Sequence, residues 1–367
     1  MNNNREQTYD LIGNLLSAEP GSDRMESVLS SLRSPSLNWS LFIATGNSHF
    51  VLQTMYCKLQ ELKLTDYLPV EVDDHLKLIY ELNHRRNTEI LQQVSSINSL
   101  LNSQGIVPLY LKGVGNILDG LYADLSERIM CDIDLLVPDD QFEATALALL
   151  ENGYQECKKY DPRKRKVMKH YPTLSKPGAR APVEIHRLPV DYEYSGTFDA
   201  DEVWEQKKKL TGSLNAYVMG DQHKMVHNFI HAQLHHEGYL YARVLLRDLY
   251  DLWLLSKHED PESVFGGMNR YHKQAAGYLK IMYKAFGDGN SGKPILGYSC
   301  RTYLFRHKVN LRTGKVLRTM RIVVRIFRAY VKLPFRAIGD KELRRSVIKR
   351  LVNRQWYAQH LKSYRRM

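Results

Sequence analysis

The heptapeptide Cys131-Asp132-Ile133-Asp134-Leu135-Leu136-Val137 constrains this 367-residue chain more than any other segment. It reads as a buried strand, yet it carries two carboxylates two residues apart. Side chains at i and i+2 of a strand leave the same face. Asp132 and Asp134 are therefore predicted to project together, with Ile133 on the opposite side. Ionised acids facing a packed interior need a cation to meet them. The simplest one that accepts two convergent carboxylates is Mg²⁺.

Two flanking segments extend the pattern. Val107 to Gly113 reads as a short strand ending in a Lys112-Gly113 turn, with a helix beginning over Val114–Leu121. A strand, a glycine turn and a helix start make a corner suited to phosphate, because free N–H groups and the helix dipole point at an anion there. Arg128 lies four residues before Asp132. Downstream, Ala181 to Arg187 reads as a third short strand with Glu184 in its middle and His186 on the same face two residues later.

Taken in order, Leu111-Lys112-Gly113, Arg128, Asp132-Ile133-Asp134-Leu135-Leu136-Val137, Gly153-Tyr154 and Glu184-Ile185-His186 resemble the motifs of the DNA polymerase β-like nucleotidyltransferases. The chain is most similar to the bacterial uncharacterised nucleotidyltransferase family, and the likeness reaches more weakly to Asn38-Trp39-Ser40-Leu41. Glu184 stands where Asp is commoner in that family, and Val114 precedes Gly115 where a small residue often follows Lys-Gly. The resemblance implies an α+β fold: a polymerase-β-like mixed sheet flanked by N-terminal and C-terminal helical regions. It implies Mg²⁺-dependent transfer of a nucleoside monophosphate from an NTP to an acceptor, RNA or a small molecule or sugar, with release of pyrophosphate. Asp132, Asp134 and Glu184 would hold two Mg²⁺ ions, which can grip both ends of such a displacement, or Glu184 would act as the base. Lys112, Gly113, Gly115, Arg128 and His186 would contact nucleotide. Plainer roles stand beside these: an ion pair for Lys112 and Arg128, a surface lysine partner for Glu184, a structural histidine at 186. A degenerate transferase fold serving as a nucleotide-, RNA- or membrane-binding adaptor is the alternative for the whole chain.

Hydrophobic residues make up 43% and charged residues 25% of the chain, ordinary for a globular protein. No apolar run approaches the ~18 residues of a membrane span. The polar start and four scattered cysteines (Cys57, Cys131, Cys157, Cys300) suggest a reduced, cytoplasmic protein. The organisation expected is a helical region over 1–105, a catalytic domain over 106–215, a helical domain over 216–290 and a basic helical tail over 291–367.

Within that frame, Asp139-Asp140 should cap a helix over Phe142–Asn152 closed by Gly153, and Met225–Leu234 should form one helix. His227, His231 and His235 share a helical face at spacing four. Without a Glu directly after the first His of a pair they do not read as a zinc-protease motif, and a core or cleft wall suits them better. Arg243, Arg247 and Asp248 could face the same cleft. The net charge of +12 sits at the C-terminus: from Arg301 onward about 20 Lys and Arg stand against Asp340 and Glu342. Arg318, Arg321, Arg325, Arg328 and Lys332 form one stripe beside Leu317, Met320, Val324, Phe327 and Val331, with Trp356 and Tyr357 beyond. This basic amphipathic helix suits nucleic acid, an anionic membrane surface with the protein peripheral to it, or the protein's own acidic remainder.

Overall fold

Five helices precede the first strand in the computed structural model, which describes residues 5–212, 214–268, 270–287 and 300–313. They are α1 (Arg5–Ser17), α2 (Asp23–Leu32), α3 (Trp39–Ser48), α4 (Leu52–Glu61) and α5 (Val70–Ser103). Side chains fix two of the starts: Ser22 Oγ accepts from the Met25 N–H, and Asn38 Oδ1 from that of Leu41. Helix α5 follows Pro69 and ends before Gly105, whose φ of +74° stops the helix at little steric cost. Its Ile90, Val94, Ile97 and Leu101 recur at helical spacing and form one buried stripe.

That stripe packs on a seven-stranded mixed sheet. The elements run β1 (Leu109–Tyr110), α6 (Lys112–Leu118), β2 (Ile133–Leu136), α7 (Phe142–Glu151), β3 (Gln155–Glu156), β4 (Leu174–Ser175), β5 (Val183–His186), α8 (Ala200–Glu205), β6 (Lys208–Lys209) and β7 (Tyr217–Val218). The strand order is β3-β4-β5-β2-β1-β7-β6. β2 lies at the centre, antiparallel to β1 and parallel to β5. The parallel register sets Asp134 beside Glu184 and Leu136 beside His186. Alternation then divides the two strands cleanly. Ile133, Leu135, Val183 and Ile185 enter the core with α5 and α7, while Asp134, Glu184 and His186 face the other way.

A second helical set follows: α9 (Asp221–Phe229), a π-helical turn over Ile230–His235, α10 (Gly238–Tyr241), α11 (Leu246–Leu255), α12 (Pro261–Gly266) and α13 (His272–Phe286). Helices α9 and α11 pack together, and α13 packs on α1. The single helix expected over Met225–Leu234 is thus an α segment that widens into a π turn. The Asp139-Asp140 cap is also corrected. Those residues open a short 3₁₀ turn, Gln141 precedes α7 without a side-chain cap, and Asp139 instead accepts from Arg165 and Arg187. Gly153 closes the segment at φ +86°.

The chain divides into a unit of residues 1–305, which holds every element above, and a unit of residues 306–367, of which residues 306–313 are described and helical. The basic stripe from Arg318 to Lys332, with Trp356 and Tyr357, lies outside the described residues, as does most of the glycine-rich segment expected at 287–292. No helix among the described residues is long and apolar enough to cross a membrane.

Candidate active site

Asp134 is the most buried of the acids, at 1% exposure on the central strand. The groups that meet it belong to the chain. Lys112 Nζ donates to its Oδ1 at 2.5 Å, and His186 Nε2 lies 2.8 Å from the same oxygen. An ionised carboxylate only accepts, so His186 Nε2 carries the proton of that bond. Burial opposes ionisation of Asp134, but Lys112 and His186 overcome it and hold the carboxyl well below the usual range. Asp134 keeps Lys112 charged in return, against the burial of the ammonium. The second oxygen, Asp134 Oδ2, is buried and has no hydrogen-bond partner.

Glu184 sits beside Asp134 in the register and is half-buried. Its Oε2 is 3.6 Å from His186 Nε2 and 3.8 Å from His170 Nε2, and its Oε1 accepts from Thr173 Oγ1 at 3.3 Å. The interaction with His186 lowers its carboxyl, so it is ionised at neutral pH. Asp132 lies one residue ahead of β2. Burial, then the neighbouring charge of Asp134, raises its carboxyl above the ordinary value.

Asp132 and Glu184 line a cavity of about 650 Å³, within the size range of small-molecule sites. Lys112, Gly113, Lys169, His170, Asp191, His231, His235, His236 and Arg247 also line it, with Lys169 and Asp191 paired at 3.5 Å. Asp134 and His186 lie behind this lining.

The remaining sequence candidates divide. Arg128 lines the cavity, but Asp251 on α11 grips its guanidinium at 3.0–3.1 Å through Nε and Nη2, and Nη1 donates to the Ile129 carbonyl. Asp251 also accepts from Tyr122. Gly113 faces the cavity; Gly115 does not. A Cβ at Gly115 would stand 2.4 Å from the Tyr110 carbonyl oxygen, so glycine there lets α6 close onto β1. Arg247 reaches the cavity and is paired with Asp248 at 2.8 Å, whereas Arg243 is exposed and outside the lining.

His227 is buried and outside the cavity lining, and its Nε2 donates to the Pro189 carbonyl at 2.9 Å. His231 and His235 line the cleft, in keeping with the cleft-wall reading. Sequence reasoning did not single out His170, Asp191 or Asp251. His170 reaches the site through an isolated bridge to His186, and Asp191 and Asp251 through long-range pairings that leave no local spacing signal.

Ligand atoms of Asp134, Glu184 and His186 lie within 4.8 Å of one another. His186 Nε2 is engaged with Asp134, which leaves carboxylate oxygens as donors, the unpartnered Asp134 Oδ2 among them. Hard oxygens of this kind fit Mg²⁺. No curated protein matches the chain. A family model described as uncharacterised nucleotidyltransferase matches residues 35–275, from the segment ahead of α3 through the whole sheet and into α13. The match points to nucleotidyl transfer as the general chemistry, and the chain belongs to the uncharacterised nucleotidyltransferase family.

Proposed function

We propose that this protein has the polymerase-β-like form of the nucleotidyltransferase fold and moves a nucleoside monophosphate from an NTP to an acceptor, RNA or a small molecule, releasing pyrophosphate. The observation that carries this reading is Asp134: a buried, ionised carboxylate with one oxygen held by Lys112 and His186 and the other unpartnered, in register with Glu184 at a cavity large enough for a nucleotide. Asp132, Asp134 and Glu184 would hold two Mg²⁺ ions. When bound, such ions neutralise the triphosphate and the attacking and leaving oxygens.

The chain's own residues would do the rest. His186 fixes the plane of the Asp134 carboxylate, as a buried hydrogen-bonded ring can. Lys112, which lines the cavity, would supply positive charge to the phosphates as charge develops on them. Gly113 offers backbone without a side chain; a Cβ there would meet Met130 at 3.3 Å. Lys169 and Arg247 also line the cavity and would meet phosphate or acceptor. Glu184, ionised at neutral pH, is the group able to take the acceptor's proton. The catalytic part would be residues 106–215, supported by the helices on either side.

Incubating cell extract with pure protein, Mg²⁺ and each α-labelled NTP, followed by mass spectrometry, identifies nucleotide and acceptor together. Wild type is expected to give pyrophosphate and a labelled adduct, and Asp132→Ala and Glu184→Gln neither. Equal pyrophosphate from all three, with no adduct for any NTP, overturns the proposal. The close pairing of Lys112 with Asp134 favours one second reading, an adaptor that binds nucleotide without turning it over. Calorimetric Mg²⁺–NTP binding without product identifies that case.

A further inference from the structure

The same cavity is lined by three histidines, a group separate from the carboxylates, whose ligand nitrogens lie within 4.8 Å of one another: His231, His235 and His236. Their ring centroids are 4.3 to 5.5 Å apart. The π turn brings them together. In an α-helix of 3.6 residues per turn, a residue five positions on lies about 140° round the axis from the first. His236 would then point away from His231. Here the His236 N–H donates to the His231 carbonyl at 3.0 Å, the i→i+5 closure of a π turn, so residues four and five positions on both flank His231. The turn ends at Glu237, held at φ +55°.

Two further features prepare the cluster for a ligand. Among the described residues, neither His231 nor His236 has a hydrogen-bond partner for its ring nitrogens. His235 Nδ1 is bonded to Asp191, which also takes Lys169 at 3.5 Å. This leaves His235 Nε2 as the free ligand atom and orients the ring from behind, as a carboxylate does for metal-bound imidazole. The nearby cations Lys112, Arg247 and Lys169 each have a carboxylate partner, so they do not present an unbalanced charge against an incoming cation.

We propose that His231, His235 and His236 form a site for a borderline divalent cation of the zinc class, distinct from the carboxylate site and open to the cavity at its fourth position. Imidazole donors select such ions over Mg²⁺. Nitrogens about 2.0–2.1 Å from a tetrahedral ion stand about 3.4 Å from each other, so binding draws the rings together by on the order of 1 Å. The open position takes water or an oxygen of a molecule occupying the cavity. The site does not depend on the nucleotidyl-transfer reading, since cation uptake is measured with no nucleotide present.

The test is titration of untagged, chelator-stripped full-length protein with Zn²⁺, and separately with Co²⁺, in millimolar Mg²⁺. One equivalent of each is expected, with the visible absorption of four-coordinate cobalt. His231→Ala and His236→Gln are expected to weaken binding at least tenfold. Asp191→Asn is expected to weaken it about 10- to 100-fold, the usual effect of removing a carboxylate behind a ligand histidine. Glu184→Gln leaves it unchanged. Thermal melts of each variant separate loss of the site from loss of the fold, and His236, being exposed, is the safer substitution. No uptake by wild type, or uptake abolished by Glu184→Gln and retained in a folded His236→Gln, overturns the proposal.

Discussion

Lys112 and Asp134 show how one contact can serve stability and chemistry together. The side chains are 18% and 1% exposed, so neither charge can fall back on water if its partner is removed. Removing one member of a buried pair typically costs about 3–5 kcal/mol, whereas replacing both with apolar groups of similar volume is often close to neutral. Asp134→Ala is therefore expected to lower unfolding free energy by about 3–5 kcal/mol in urea titration, and Lys112→Met/Asp134→Leu to restore much of that loss while leaving the site inert. A loss under about 1 kcal/mol for Asp134→Ala would mean that water reaches Lys112. Glu184→Gln is expected to abolish transfer with little change in stability, since Glu184 already borders the cavity. That Asp134 and Glu184 leave their strands on the face away from the core was legible in the sequence because strand alternation is a local property. The partner of Arg128 was not, because Asp251 is 123 residues away.

At the scale of elements, what could be read from the sequence follows segment length. Helices α1 and α5 and the strands carrying Asp134 and Glu184 have enough residues to show a period. Strands β3, β6 and β7 have two residues each, too few for alternation to register. The π turn was invisible as well, since its sequence keeps an α-like histidine spacing of four. Glycines carry the packing that the period does not encode. Gly115→Ala would place a methyl 2.4 Å from the Tyr110 carbonyl, in rigid backbone, and is expected to cost about 1–3 kcal/mol or more in urea titration by forcing α6 off β1. Gly238→Ala meets the Ala232 carbonyl at 2.3 Å and the Arg243 carbonyl at 2.8 Å. It is expected to disturb the end of the π turn and so weaken cobalt uptake more than Gly105→Ala, whose Cβ meets open space although its φ of +74° carries strain. Equal cobalt affinity in folded Gly238→Ala and Gly105→Ala protein would separate the histidine cluster from the turn geometry.

For the whole molecule, histidines rather than carboxylates should set acid stability down to about pH 4. Burial, followed by the charge of Lys112, holds His227 at about 3 against the Pro189 hydrogen bond and the nearby Asp134 carboxylate; His186 adds to the depression. Burial also lowers His170, His223 and His231, and takes His236 down to about 4. Each remains neutral in the fold at a pH where the unfolded chain, with an ordinary value near 6.5, binds a proton. The unfolded state thus carries more protons, and stability rises with pH through this range and is lost as pH falls below about 6.5. Asp134 acts elsewhere: with its folded value depressed, its contribution is present above the unfolded carboxylate value near 3.9 and disappears only as pH falls further. At pH 5 the single group His227 is expected to cost the fold about 2 kcal/mol relative to neutral pH, since each unit below 6.5 contributes ~1.4 kcal/mol. Urea unfolding of chelator-treated protein from pH 7.5 to 4.5 checks this. His227→Gln, which keeps a donor for the Pro189 carbonyl and cannot titrate, should be less stable at pH 7.5 yet lose about 2 kcal/mol less than wild type between pH 7.5 and 5. Parallel pH profiles for the two proteins would mean that His227 takes up its proton without unfolding, and that its surroundings admit water.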